Sequence, residues 1–319
     1  MQKQFISLFA IVTSLMVINN DARSDWPARV FAPYMYVGFD DNFQITQCDD
    51  ACGQKFYTLA FIISDKSNNP AWDGRIPMDE NFYTNQIAAI RARGGGVIIS
   101  FGGAGGKEIA VTETNAVALQ AKYESIIGRY KFTWLDFDIE GDALKNSGAN
   151  QRRNTALANL QAKNHGLIIS YTLPVDPNGI SNDAQRLLAD AKVKGLKVHS
   201  VNVMVMDFDP HFSEGKKMSD ISITSALNAH EQCKKIDPAI QIGLTPEIGQ
   251  NDEKSEIFSL TDAKELEDWA TTQPWVCSLS FWCSNRDNNK LGGKADTNRS
   301  GVPQKPWAFT KIFQPFATN

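Results

Sequence analysis

The chain predicts a closed (β/α)₈ barrel of the TIM type, one α/β domain, on three observations. Strand-like apolar runs alternate with helical patterns eight times. Polar residues gather at the C-terminal ends of nearly every strand, and in a barrel those ends form a single mouth. No low-complexity linker or internal repeat divides the chain, so one unit is the economical division. A doubly wound open sheet also alternates β with α, but the count of eight and the clustering at strand ends favour the barrel.

From the N-terminus, residues 1–24 carry Lys3, then an apolar stretch from Phe5 to Ile18 broken by Ser7, Thr13 and Ser14. Ala22 and Ser24 put small residues at the minus-three and minus-one positions of a cleavage site. This reads as a secretory signal, with the mature domain at 25–319 and a secreted (extracellular or periplasmic) location. A spanning helix is the competing reading, but an apolar run of about 14 residues falls short of the roughly 18 to 20 required.

Strands are predicted at 30–39, 56–64, 96–103, 134–141, 166–175, 201–208, 241–249 and 278–283. Helical periodicity falls at about 81–93, 112–129, 149–163, 182–194, 219–235, 261–272 and 305–316, the last opened by Pro306, a residue suited to a first helical turn. Asp40 and Asp41, Ser100, Glu140, Asp176, Asp207, Glu247 with Asn251, and Asn285 with Arg286 all stand at or just past strand ends.

A formal net charge of −4 with no basic patch argues against nucleic acid or an anionic membrane as partner. The expected ligand is neutral or weakly charged, and the chain reads as a monomer. Cys48 and Cys52 lie close together in what reads as a polar loop and are the natural pair for a disulfide in an exported protein. Cys233, Cys277 and Cys283 read as buried thiols; the last two, six apart along a strand, are roughly 20 Å from each other, too far to bridge. The four histidines are scattered and no zinc-type spacing occurs, so no metal is expected; His211, after a strand end, could border a cleft. Trp26, Trp72 and Trp307 are candidates for either ring stacking or core packing.

The fourth strand carries the chemistry. In Trp134-Leu135-Asp136-Phe137-Asp138-Ile139-Glu140-Gly141, side chains two apart share a face, so Asp136, Asp138 and Glu140 project into one space. Three crowded carboxylates cannot all ionise cheaply, so at least one proton is retained near neutral pH, which is how a protein makes a general acid. An edge strand with acids on a solvated face is the alternative. The run from Phe132 to Gly141 lacks Lys and Arg and closes on glycine, which suits a buried strand better.

Nucleotide loops fail on inspection. Around Gly102-Gly103-Ala104-Gly105-Gly106-Lys107, a P-loop would need Gly at Phe101 and Ser or Thr at Glu108, and a dinucleotide fingerprint would need its third glycine at Glu108. No cofactor is expected. The glycines more simply allow a turn or a close backbone approach to the acid-bearing strand.

The residues also carry a resemblance. Ser100-Phe101-Gly102-Gly103 on the third strand and Asp136-x-Asp138-x-Glu140 on the fourth match the signatures of glycoside hydrolase family 18, the chitinases. Thr172-Leu173-Pro174-Val175, Val201-Asn202-Val203-Met204, Thr245-Pro246 with Ile248-Gly249 and Asn251-Asp252, and Phe281-Trp282 with Arg286-Asp287 are similar to bacterial members. The resemblance implies a chitinase acting on chitin or N-acetylglucosamine oligosaccharides. In it Glu140 donates the proton, Asp138 orients the substrate acetamide, and Asp136 shares a proton with Asp138. The acetamide oxygen, not a protein group, attacks the anomeric carbon. Trp282 would floor the sugar, with Asp207, Met206, Ser100, Gly102 and Gly103 as further substrate-binding positions. It also implies cis peptides at Ala60-Phe61 and Trp282-Cys283.

Two departures stand out. Thr133 occupies a position where the family's longer signature has Asp. Met206-Asp207 replaces a Tyr-Asp whose hydroxyl holds the acetamide, which implies a loss on the order of 10²-fold unless another donor reaches it. An endo-β-N-acetylglucosaminidase and a non-catalytic lectin share the fold. Retention of Glu140 weighs against the lectin, and the missing Tyr for it.

Overall fold

The computed structural model describes residues 26–37, 45–290, 296 and 298–317. The proposed signal at 1–24, and Asp40 and Asp41 at the end of the first strand, lie outside the described residues. Among the described residues no helix is long and apolar enough to cross a membrane.

Eight parallel strands form the barrel: β1 (Val30–Phe31 continued by Tyr34–Tyr36), β2 (Phe56–Ser64), β3 (Gly96–Gly102), β4 (Trp134–Asp138), β5 (Ile168–Asp176), β6 (Ser200–Met204), β7 (Gln241–Thr245) and β8 (Val276–Leu279). β1 closes the ring. Its first half pairs with β8 (Val30 with Ser278), its second half with β2 (Tyr34 with Thr58). Pro33 has no N–H to give, and the run switches partner there: Ala32 N–H donates to Leu279 O at 3.0 Å, and Thr58 N–H to Pro33 O at 3.1 Å.

The principal helices are α1 (Ile45–Cys52), α2 (Thr84–Ala92), α3 (Ala116–Tyr130), α4 (Ser147–Lys163), α5 (Asn182–Val193), α6 (Met218–Ile236), α7 (Leu260–Thr272) and α8 (Ala308–Phe313). Asn115 caps α3 through Val117 and Ala118 N–H, and Ser259 and Asp262 form a capping box on α7. The predicted helix at 112–129 is interrupted before α3, and α8 is shorter than predicted, continuing as a 3₁₀ turn at Gln314–Ala317.

α1 corrects the reading of Cys48 and Cys52. They stand one turn apart on a helix rather than in a loop, as free thiols whose sulfurs are 3.4 Å apart. Gln47, Asp49 and Asp50 gave the segment its polar look. The buried pair Ile45 and Cys48, at helical spacing, was the overlooked signal. Cys233, Cys277 and Cys283 are buried thiols, as expected.

Both faces of β4 are buried, which explains its unusual pattern. Phe137 points outward, stacks on Phe101 of β3 at 5.0 Å between ring centroids, and meets Tyr123 of α3 edge-on at 5.4 Å. Inward, Trp134 joins Val30, Ala32 and Ile98, with Trp26, Phe56 and Ile168 against them, in an apolar plug at the N-terminal end of the barrel. Thr133 sits at this end and accepts from Trp26 Nε1 at 3.0 Å, far down the strand from Glu140.

Candidate active site

Above the plug the parallel register builds rows. Ser100 of β3, Asp136 of β4 and Ser170 of β5 are ladder partners, and one row higher stand Gly102, Asp138 and Thr172. Asp136 is buried and accepts from Tyr34 OH (2.9 Å), Ser100 Oγ (2.7 Å), Ser170 Oγ (2.7 Å) and Thr172 Oγ1 (2.9 Å). Ser170 itself accepts from Trp134 Nε1 at 3.0 Å, and Thr172 from Asn202 Nδ2 at 3.0 Å. Their single protons are thereby turned toward Asp136. Burial pushes the Asp136 carboxyl up and the four hydroxyls pull it back. An acid surrounded by four donors is held as the acceptor, the carboxylate.

Asp138 is in the opposite state. Its Oδ1 is buried with no hydrogen-bond partner. Burial first, then the charges of Glu140 and Asp136, push its carboxyl well above the ordinary range, and its hydrogen bond goes to Glu140. Glu140 is raised by burial and partly relieved by that bond. The two form one titrating pair that holds a proton near neutral pH. The proton sharing implied for Asp136 and Asp138 is therefore found between Asp138 and Glu140 instead, because the hydroxyls already occupy Asp136.

Glu140 and Asp138 line a cavity of about 350 Å³ at the barrel mouth, together with Trp282, Met206 and Asp207. Trp282 stacks on Phe61 with centroids 5.6 Å apart and planes at 15°. Both implied cis peptides, Ala60-Phe61 and Trp282-Cys283, are present.

Ser100, Gly102 and Gly103, expected as substrate contacts, stand behind the cavity wall. Ser100 is fully buried against Asp136. Gly102 (φ 104°) passes so close to β4 that a Cβ would lie 2.0 Å from Asp138 O, and a Cβ on Gly103 would lie 2.6 Å from the Phe61 ring. These glycines let β3 approach the acids and the aromatic floor.

Other strand-end residues divide in the same way. Glu247 lines the cavity, forms an ion pair with the buried Arg286 and accepts from Asp252 N–H at 3.1 Å. Asn285 instead brackets the Tyr36 backbone, Asn251 its own turn, and Asp176 the Asn178 N–H. His211 is exposed beside Asp209, Trp72 is buried, and neither they nor Trp26 and Trp307 line the cavity. Sequence reasoning missed Tyr34 and Phe61. Tyr34 belongs to a strand whose inward residues gave no charged signal.

Comparison with known proteins follows the geometry. No protein-family profile matches the chain. It is 30% identical over 317 residues to a probable bifunctional chitinase/lysozyme of Escherichia coli K12, covering 92% of this chain and 35% of that protein. It is 32% identical over 259 residues to Endochitinase 11 of Metarhizium anisopliae, covering 76% and 49%. The chain thus spans about a third to a half of the length of these curated relatives. The catalytic domain of a hyperthermophilic chitinase from Pyrococcus furiosus superposes with a TM-score of 0.82 at 33% identity, covering 92% of this chain and 96% of that one. The chain belongs to the glycoside hydrolase family 18 chitinases. Membership fixes the fold as the TIM-type barrel of that family and marks the chain as a glycoside hydrolase.

Proposed function

We propose that this family 18 chain is a secreted chitinase that hydrolyses β-1,4-linked N-acetylglucosamine oligomers or polymers with retention of configuration. The observation that carries the reading is the acid pair at the cavity: Glu140 at the rim, with Asp138 beneath it and turned toward it. Glu140 gives its proton to the glycosidic oxygen as the acetamide oxygen of the same sugar closes on the anomeric carbon. The glycosidic bond breaks and an oxazolinium forms. Asp138, released from Glu140, accepts the acetamide N–H and stabilises the cation, while Asp136 below supplies a fixed negative charge. Water then opens the ring from the same face, giving its proton back to Glu140.

Trp282 provides an apolar face for the sugar ring, and Asp207 an acceptor for its hydroxyls. The cavity position held by Met206 brings no hydroxyl to the acetamide. Tyr34 OH is committed to Asp136 and Thr172, so turnover below that of a site with a free hydroxyl donor is expected.

The test is hydrolysis of an N-acetylglucosamine oligomer by the parent and by Glu140→Gln, with oligomer binding measured in both. Glu140→Gln should lower kcat by about 10³-fold or more and leave the dissociation constant within a few-fold. Binding without cleavage by the parent would reject catalysis.

A further inference from the structure

Glu256 is an acid that the chemistry above does not use, and its position is fixed from three sides. It lies in the turn of a hairpin after β7, whose arms Gly249–Gln250 and Ile257–Phe258 pair antiparallel. Its N–H donates to Glu253 O at 3.0 Å, and its carbonyl accepts from Asn251 N–H at 3.1 Å and Gln250 Nε2 at 2.8 Å. The side chain is 1% exposed, with both carboxyl oxygens short of well-formed hydrogen bonds. The donors that face it are the Ser213 hydroxyl and the backbone N–H groups of Phe208 and Asp207, all in the loop after β6.

The contact is reciprocal. Asp207 Oδ1 accepts from Glu253 N–H of the hairpin at 2.8 Å. Asp207 lines the cavity and holds a left-handed backbone (φ 49°), a conformation that a residue with a side chain keeps only under constraint from its neighbours. The same hairpin region carries Asp252 to the cavity. The two loops therefore form one wall, and each reaches into the other with a carboxyl group.

We propose that Glu256 is a positioning residue that clasps the loop after β6 to the hairpin after β7, so that Asp207 is held where a sugar hydroxyl meets it. The inference rests on the reading of the cavity as a glycan site. Loosening the clasp weakens substrate binding and leaves bond cleavage nearly unchanged, because Glu140 and Asp138 are held by β4.

The clasp also responds to pH. Burial, and then the Asp207 charge, push Glu256 up to about 7. Asp207 is itself raised by burial and by Asp252 on the hairpin side, and lowered by Arg286 from the segment after β8. Ionised Glu256 is the stronger acceptor for the two backbone N–H groups. Affinity should fall as the group protonates.

The experiment measures kcat, KM and oligomer dissociation constants for the purified whole chain and Glu256→Gln on a soluble N-acetylglucosamine oligomer across neutral pH. Glu256→Gln should raise KM and the dissociation constant roughly fivefold at alkaline pH and hold kcat within twofold. It should also abolish the KM change near neutrality while the kcat profile persists. Ser213→Ala, which removes one facing donor, should shift KM in the same direction by less, and serves if Glu256→Gln does not fold. An unchanged KM with its pH dependence intact, or a fall in kcat as large as the rise in KM, overturns the proposal. A parent that binds the oligomer but does not cut it refutes the chitinase reading alone, since the dissociation constants still compare the variants; a parent that does not bind refutes both.

Discussion

Asp136 and Asp138 are the same residue type, two positions apart, on one face of one strand, and their surroundings are opposite. Asp136 lies in a row whose ladder neighbours, Ser100 and Ser170, both donate hydroxyls. One row nearer the mouth, Asp138 has Gly102 on one side and, on the other, Thr172, whose hydroxyl is already turned down to Asp136. The supply of donors ends between the two rows. Asp136 is stabilised as an anion; Asp138, with a bare Oδ1, keeps a proton and turns to Glu140. A step of two residues along a barrel strand is enough to separate a fixed charge from a proton carrier.

Replacing the carrier is expected to do most to catalysis. Asp138→Asn should lower kcat by about 10² to 10³-fold, since an amide cannot accept the acetamide N–H with charge or shift a proton with Glu140. Its effect on stability has the other sign. Asp138 is raised in the folded state, so its contribution to stability is present below the ordinary carboxylate pKa and is lost as pH rises toward the folded value. The Tm of Asp138→Asn should match the parent at about pH 4 and exceed it toward neutrality.

Replacing the fixed charge should act in reverse. Asp136→Asn turns an amide NH₂ toward hydroxyls arranged to donate, leaving buried donors facing each other. Unfolding free energy should fall by about 1 to 3 kcal/mol, with kcat down by roughly 10-fold or more, read by denaturant titration and steady-state kinetics. The smallest effect is at the rim: Met206→Tyr, which returns a hydroxyl to the cavity, should raise kcat by about tenfold and leave unfolding unchanged. An equal loss of stability in both Asp variants would erase the contrast between the rows.

Much of this was legible from residue spacing. The period of two put the acids on one face, and the alternation of β with α gave the barrel and its strand order. The register between strands was not legible, and it decides which hydroxyl meets which acid. Asp136 was therefore paired with Asp138 from proximity in sequence, when its partners come from residues 34, 100, 170 and 172. The same gap placed Ser100, Gly102 and Gly103 at the substrate, although the ladder puts them behind it. α1 was read as a loop because three polar residues masked a short apolar stripe.

The protonation of the two rows can be observed directly by carbon NMR of carboxyl-labelled aspartate in the unliganded protein at neutral pH, with Asp136→Asn and Asp138→Asn assigning the two signals. The account predicts an ionised Asp136 signal that stays flat through neutrality, and an Asp138 signal that is protonated there and moves together with Glu140. An ionised Asp138 above a protonated Asp136 would contradict it.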